Sequence, residues 1–129
     1  MPSPRETVME FLVLLEKPGG FEEAIRAYFT PTTRYLNVGM SDTTGIEDTV
    51  AFIHEYETAT RTSWMRAEML SLAEDGNKVL TERIDHLYDA DGNSVVSLQL
   101  MGIFEVEDGK IAGWRDYFDT AGTAALLGG

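Results

Sequence analysis

The chain has 129 residues and 14.3 kDa, with 43% hydrophobic and 25% charged residues, which is the composition of a folded globular domain and not of a disordered segment. Ten Lys and Arg stand against twenty-two Asp and Glu, and the net charge of −12 repels phosphate backbones and anionic lipid, arguing against nucleic-acid and membrane partners. Cysteine is absent, which excludes disulfides, thiolate catalysis, zinc ribbons and iron–sulfur ligation, and two histidines leave little imidazole for a metal site. One domain over residues 1–129 is expected, and the longest early apolar run, Phe11–Leu15, is too short for a signal or membrane segment, so the cytoplasm is the default compartment.

Ser3-Pro4-Arg5-Glu6 has the form of a capping box with proline at the first helical position. Val8, Phe11, Leu12 and Leu15 follow at helical spacing, and Pro18-Gly19-Gly20 stops the helix. A second short helix carries Phe21, Ala24, Ile25 and Tyr28 and ends before Pro31. Residues 32–38 are predicted as a strand and 39–45 as a polar loop. Thr44 and Glu47 form a second capping-box pattern, opening a helix with Ile46, Val50, Ile53 and Glu57 on one face.

From Trp64 onward the apolar period changes from helical to two, giving strands over roughly 64–73, 78–88, 94–106 and 110–118. Each separator contains Asp-Gly, a strong hairpin signal. Helices in the first half and an antiparallel meander in the second define an α+β class, with a curved sheet wrapped around the helices and a pocket between them.

Polar residues interrupt the strands at particular places. Val79, Thr81, Arg83, Asp85 and Leu87 share one face of their strand, and Leu80, Glu82, Ile84, His86 and Tyr88 share the other. Apolar members on both faces predict a strand covered on both sides, with Arg83 and Asp85 at least partly buried. Asp116 shares a face with Trp114 and Phe118, where an unpaired acid is costly. Tyr35 and Asn37 also project together. Two explanations stand side by side: a structural salt bridge from Arg83 to Asp85 or Asp116, or a pocket with two carboxylates around an arginine, able to keep one acid neutral and one ionised. Spacing does not separate them. His54 with Glu55 and Glu57 is more economically a solvated group than a metal ligand, and His86 faces away from Arg83 and Asp85.

Thr81-Glu82-Arg83-Ile84-Asp85, Gly113-Trp114-Arg115-Asp116-Tyr117-Phe118-Asp119 and Tyr35-Leu36-Asn37 resemble the limonene-1,2-epoxide hydrolase family. The similarity runs from about Val8 to Thr120 and is weakest over the 39–45 loop and the helix after it. It implies a cone-shaped α+β roll, a curved, mostly antiparallel mixed sheet around N-terminal helices, as in nuclear transport factor, ketosteroid isomerase and polyketide cyclases. It also implies a homodimer and a cofactor-free, metal-free hydrolysis of a small hydrophobic epoxide by water to a vicinal diol. Asp116 would be the general base on a water held also by Tyr35 and Asn37, Asp85 the general acid, and Arg83 the bridge between the carboxylates. Leu12, Leu15, Leu87, Leu98, Leu100 and Phe118 would supply the apolar wall. An isomerase or cyclase on the same roll, and a non-catalytic ligand-binding or dimeric scaffold module, are the alternatives, because one fold hosts many functions.

Overall fold

The computed structural model describes residues 2–122. The first helix, α1 (Pro4–Leu14), starts as its sequence dictates: Ser3 Oγ accepts from the Glu6 N–H at 3.2 Å and Glu6 Oε1 accepts from the Ser3 N–H at 3.1 Å. Its inner face buries Val8, Phe11 and Leu12, and Leu15 is buried just beyond its end. The second helix, α2 (Gly20–Tyr28), is anchored to the third, α3 (Ile46–Thr60), by Arg26, which donates to Glu22 on its own helix and to both Glu47 oxygens.

Six strands form one sheet: β1 (Phe29–Asn37), β2 (Ser41–Thr44), β3 (Trp64–Asp75), β4 (Lys78–Tyr88), β5 (Ser94–Glu107) and β6 (Lys110–Phe118), in the order β2-β1-β6-β5-β4-β3. Only the β1–β6 pairing is parallel among these neighbours. It places Tyr35 beside Trp114 and Asn37 beside Asp116. Register shifts in the β3–β4, β4–β5 and β5–β6 ladders bend the strands, and the sheet curves around the helices. The β5–β6 hairpin turns on Asp108 and Gly109 at φ 51° and 74°, the left-handed pair that matches strand twist.

Several local expectations change. The first strand begins at Phe29, because Pro31 lies in an irregular stretch between the Phe29 and Arg34 pairings, where a missing N–H costs the ladder nothing. The expected 39–45 loop contains β2, a polar edge strand with no apolar alternation to betray it. The second capping box does not form. Gly45 is the N-cap, Glu47 is held by Arg26, and Asp48 Oδ2 accepts from the Thr44 N–H instead. Nor is β4 covered on both faces: Val79, Thr81, Arg83, Asp85 and Leu87 are buried, whereas on the outer face Leu80 and Glu82 are exposed and Ile84, His86 and Tyr88 only half-buried.

The core lies in the concavity. The Phe11 ring from α1 meets Phe29, Phe104 and Trp114 at centroid distances of 6.0, 6.2 and 5.3 Å. Phe104 stacks on Trp114 at 4.9 Å, and Tyr35 covers the other part of that indole at 4.1 Å. This aromatic stack ties α1 to β1, β5 and β6, since each ring buries a large apolar area.

Candidate active site

Arg83 sits on the concave face of β4 with no solvent exposure. Its Nε and Nη2 donate to Asp85 Oδ1 and Oδ2 at 3.1 and 3.0 Å, a two-point contact within one strand face. Nη2 also donates to Asp116 Oδ2 at 3.0 Å, and Nη1 donates to Thr81 Oγ1 at 2.8 Å. The second Asp116 oxygen accepts from Trp114 Nε1 at 2.8 Å. The i, i+2 spacing on β4 and β6 thus does two jobs: it turns these side chains to the same side of the sheet, and it lets each strand's own residues orient its acid.

The electrostatics follow from this burial. Desolvation opposes the Arg83 cation, yet the charges of Asp116 and Asp85 more than offset it and raise its pKa. Burial pushes Asp116 up to about 6; the Arg83 guanidinium pulls it down, the neighbouring Asp85 charge pushes it up, and the Trp114 indole pulls it down again. Tyr35 is driven well above the ordinary phenol range, first by burial and then by the Asp116 charge, with the Asn37 amide pulling the other way. One cation therefore serves two carboxylates in an apolar setting, where the charge of Asp85 opposes ionisation of Asp116 and the guanidinium favours it.

These groups open onto an apolar-lined cavity. Tyr35, Asn37, Asp85 and Asp116 line it, and Arg83 lies behind the two acids. Both explanations of the polar positions are thus realised at once, for Arg83 forms ion pairs with both acids and the pair faces a cavity. Of the expected apolar wall, Leu87, Leu98, Leu100 and Phe118 line the cavity. Leu12 and Leu15 do not. They are 3% and 0% exposed in the core cluster, because α1 packs into the concavity and the mouth is left to later elements. Phe21 at the start of α2 and Phe52, Ile53 and Tyr56 on α3 form that side, with Met40 and Met65 completing it. Phe52 and Tyr56 stand one helical turn apart, outside the Ile46/Val50/Ile53 stripe; that extra width of apolar face was the available signal. Tyr56 is raised by burial and by the Asp85 charge, which places its hydroxyl within the field of the site.

The histidines lie elsewhere. His54 pairs with Glu22 at 2.7 Å, and His86 bridges Ser97 and Glu68 at 2.7 and 2.8 Å on the outer side of the sheet. Among the described residues no cluster of three or more His, Asp or Glu side chains is arranged to hold a metal ion.

The curved roll thus carries an arginine-bridged acid pair facing an apolar cavity. The family model of the limonene-1,2-epoxide hydrolase catalytic domain matches residues 2–125, and the chain belongs to that family. It is 36% identical over 85 residues to epoxide hydrolase EphG of Mycobacterium tuberculosis, a match covering 66% of this chain and only 54% of that relative, about half its length. The solved structure of an M. tuberculosis LEH-like epoxide hydrolase aligns with a TM-score of 0.75 at 31% identity, over 96% of this chain and 88% of that one. A SnoaL-like polyketide cyclase from Shewanella denitrificans reaches a TM-score of 0.77 at 10% identity, over 99% of this chain and 98% of its own, a likeness of fold alone.

Proposed function

We propose that this protein adds water to a small, hydrophobic epoxide, giving a vicinal diol in one step by general acid–base catalysis without a cofactor. The observation that carries the reading is the Asp85–Arg83–Asp116 array facing an apolar cavity, with Tyr35 and Asn37 on the adjoining parallel strand. Asp116, pushed up to about 6, is ionised at neutral pH and still basic enough to take a proton. A water held by Asp116, Tyr35 and Asn37 gives its proton to Asp116 as its oxygen forms a bond to one epoxide carbon. The C–O bond of that carbon breaks, and Asp85 delivers its proton to the departing oxygen. Return of the proton from Asp116 to Asp85 through solvent resets the pair. Arg83 holds the two carboxylates in register, and each well-placed proton transfer is worth typically ~10²–10⁴-fold. Fixing the water adds a proximity contribution.

The leucine and aromatic lining of the cavity suits a small, cyclic or terpene-like epoxide. The same reading extends to a single domain in the cytoplasm and to a homodimer formed through the outer sheet face, where Leu70, Leu80, Met101 and Tyr117 are exposed. Among the described residues no helix is long and apolar enough to cross a membrane.

A single turnover of limonene oxide or cyclohexene oxide in ¹⁸O-labelled water tests the chemistry. The label is expected in the diol at once. Label found first in an aspartate replaces this route with a covalent ester, and no turnover of these or related epoxides favours a binding module.

A further inference from the structure

Thr81, Gly102 and Asp116 are Cα partners in a row across β4, β5 and β6. The two outer members are polar and face the concavity, and the middle member has no side chain. A Cβ built at Gly102 would fall inside contact distance of Asp116 Oδ1 and 2.7 Å from Arg83 Nη1. The ion pair therefore occupies the volume that any other residue at position 102 would fill. Asp116 has no room to retreat, because Trp114 holds the same oxygen. Thr81 bounds the row on the far side. Its hydroxyl donates to the Gly102 carbonyl at 2.9 Å, which commits its single proton, so toward the guanidinium it can only accept, and it does so from Arg83 Nη1 at 2.8 Å. All three nitrogens of Arg83 are thereby aimed: one at threonine, one at Asp85, and one at both acids.

We propose that Thr81 and Gly102 are positioning residues of this site: the oriented hydroxyl of one and the absent side chain of the other fix where the Arg83 guanidinium and the Asp116 carboxylate meet. Neither touches the reacting atoms. They act through Arg83 and Asp116, and the consequence for rate rests on the hydrolase reading above, whereas the geometry does not. A glycine within a strand marks close approach of another group, and here the approaching groups are the ion pair itself.

The test compares Thr81→Val, Thr81→Ser and Gly102→Ala with the parent, using cyclohexene oxide kinetics, thermal unfolding and a ¹³C-carboxyl NMR titration of Asp116. Thr81→Val keeps the shape and removes both the acceptor for Arg83 and the donor to the Gly102 carbonyl. Its kcat should fall roughly tenfold with KM within about twofold, since orientation and not binding is disturbed. Asp116 should titrate higher than in the parent, because the guanidinium that favours its charge is less well held. Thr81→Ser should recover most of kcat and the parental titration. Gly102→Ala should lose about 10²-fold or more, the scale of an ångström-sized misplacement. Parental kcat and parental Asp116 titration in folded Thr81→Val overturn the proposal even if Gly102→Ala fails to fold. If the parent itself turns over no epoxide, the hydrolase reading fails, while the titrations alone still decide the positioning role: a shift in Thr81→Val that Thr81→Ser reverses supports it, and none refutes it.

Discussion

Replacing Asp116 by asparagine should produce a protein that is inactive and whose stability relative to its parent rises with pH. Asp116 is 2% exposed and receives two donors, the Trp114 indole and the Arg83 guanidinium. Its carboxyl rises from 3.8 to about 6 on folding, with burial the largest cause. For a group whose folded pKa lies above its unfolded one, the stability contribution is complete below the unfolded value and is lost as pH rises through the folded value. At 1.36 kcal/mol per pH unit, the ionised Asp116 costs the fold about 3 kcal/mol by neutral pH. A protonated aspartic acid still offers an acceptor to both donors, whereas asparagine has one accepting oxygen and an NH2 that accepts nothing, so one of the two donors loses its partner at every pH. Near pH 4 the variant should be the less stable by the cost of that unpaired donor, and the difference should move by about 3 kcal/mol in the variant's favour by about pH 7.5. Urea unfolding of both proteins across this range measures the difference directly. Diol formation should drop by ~10²–10⁴-fold, because a carboxamide takes no proton from water. A stability difference that does not change with pH, or a variant with parental turnover, would refute the electrostatic account and the base assignment respectively.

Asp85→Asn should abolish diol formation with KM little changed and circular dichroism as in the parent, and a fully active variant removes Asp85 from the mechanism. Arg83→Met leaves two buried carboxylates uncompensated and should destabilise the fold by about 3–5 kcal/mol at neutral pH, read by urea unfolding, with a smaller loss at low pH where both acids are protonated. The kcat/KM profile should rise with pH through about 6 as Asp116 ionises, and a rate independent of pH across that region contradicts the assignment. Leu12→Ala should cost about 2–5 kcal/mol of stability as a core cavity with KM unchanged in the folded fraction, whereas Phe52→Ala should raise KM more than it lowers the unfolding midpoint.

The meander was legible because two independent signals coincide. Period-two alternation marks 78–88 and 110–118, with Asp-Gly turns on both sides of the first and before the second, and both strands begin and end where expected. The polar positions were legible for a related reason. Arg83, Asp85 and Asp116 break an otherwise apolar face, and a charge on a buried face needs a partner. What the alternation cannot carry is distance between strands: that one nitrogen of Arg83 serves both acids depends on the β4–β5–β6 registers. The missed elements are those where local patterns compete with tertiary partners. Glu47 fits a capping box by spacing, but Arg26 from another helix takes its carboxylate. The strand β2 is polar because it lies at the edge of the sheet, where no alternation is imposed. Leu12 and Leu15 belong to a helix that enters the concavity, and spacing along one helix does not say which part of its buried face meets a cavity and which meets the core.

The parallel pairing of β1 with β6 joins these observations. An antiparallel meander alone delivers Arg83, Asp85 and Asp116 to one concave face, since β4, β5 and β6 follow one another in sequence. Tyr35 and Asn37 come from a strand some eighty residues earlier and reach Asp116 only because β1 enters beside β6 in the register Tyr35 with Trp114 and Asn37 with Asp116. A slip of one residue would turn Tyr35 and Asn37 to the outer face. The indole of Trp114 guards against that slip: it stacks on Tyr35 at 4.1 Å, packs on Phe104 at 4.9 Å, and donates to Asp116 at 2.8 Å. One side chain thus ties the register of the parallel pair, the hydrophobic core and the orientation of the proposed base. Trp114→Phe keeps part of the stacking, deletes the donor and leaves a cavity where the larger indole was buried, so it should lower stability, raise the Asp116 pKa by removing a bond to its charged form, and move the acid limb of kcat/KM upward. An unmoved limb with reduced stability would mean that the indole serves packing alone.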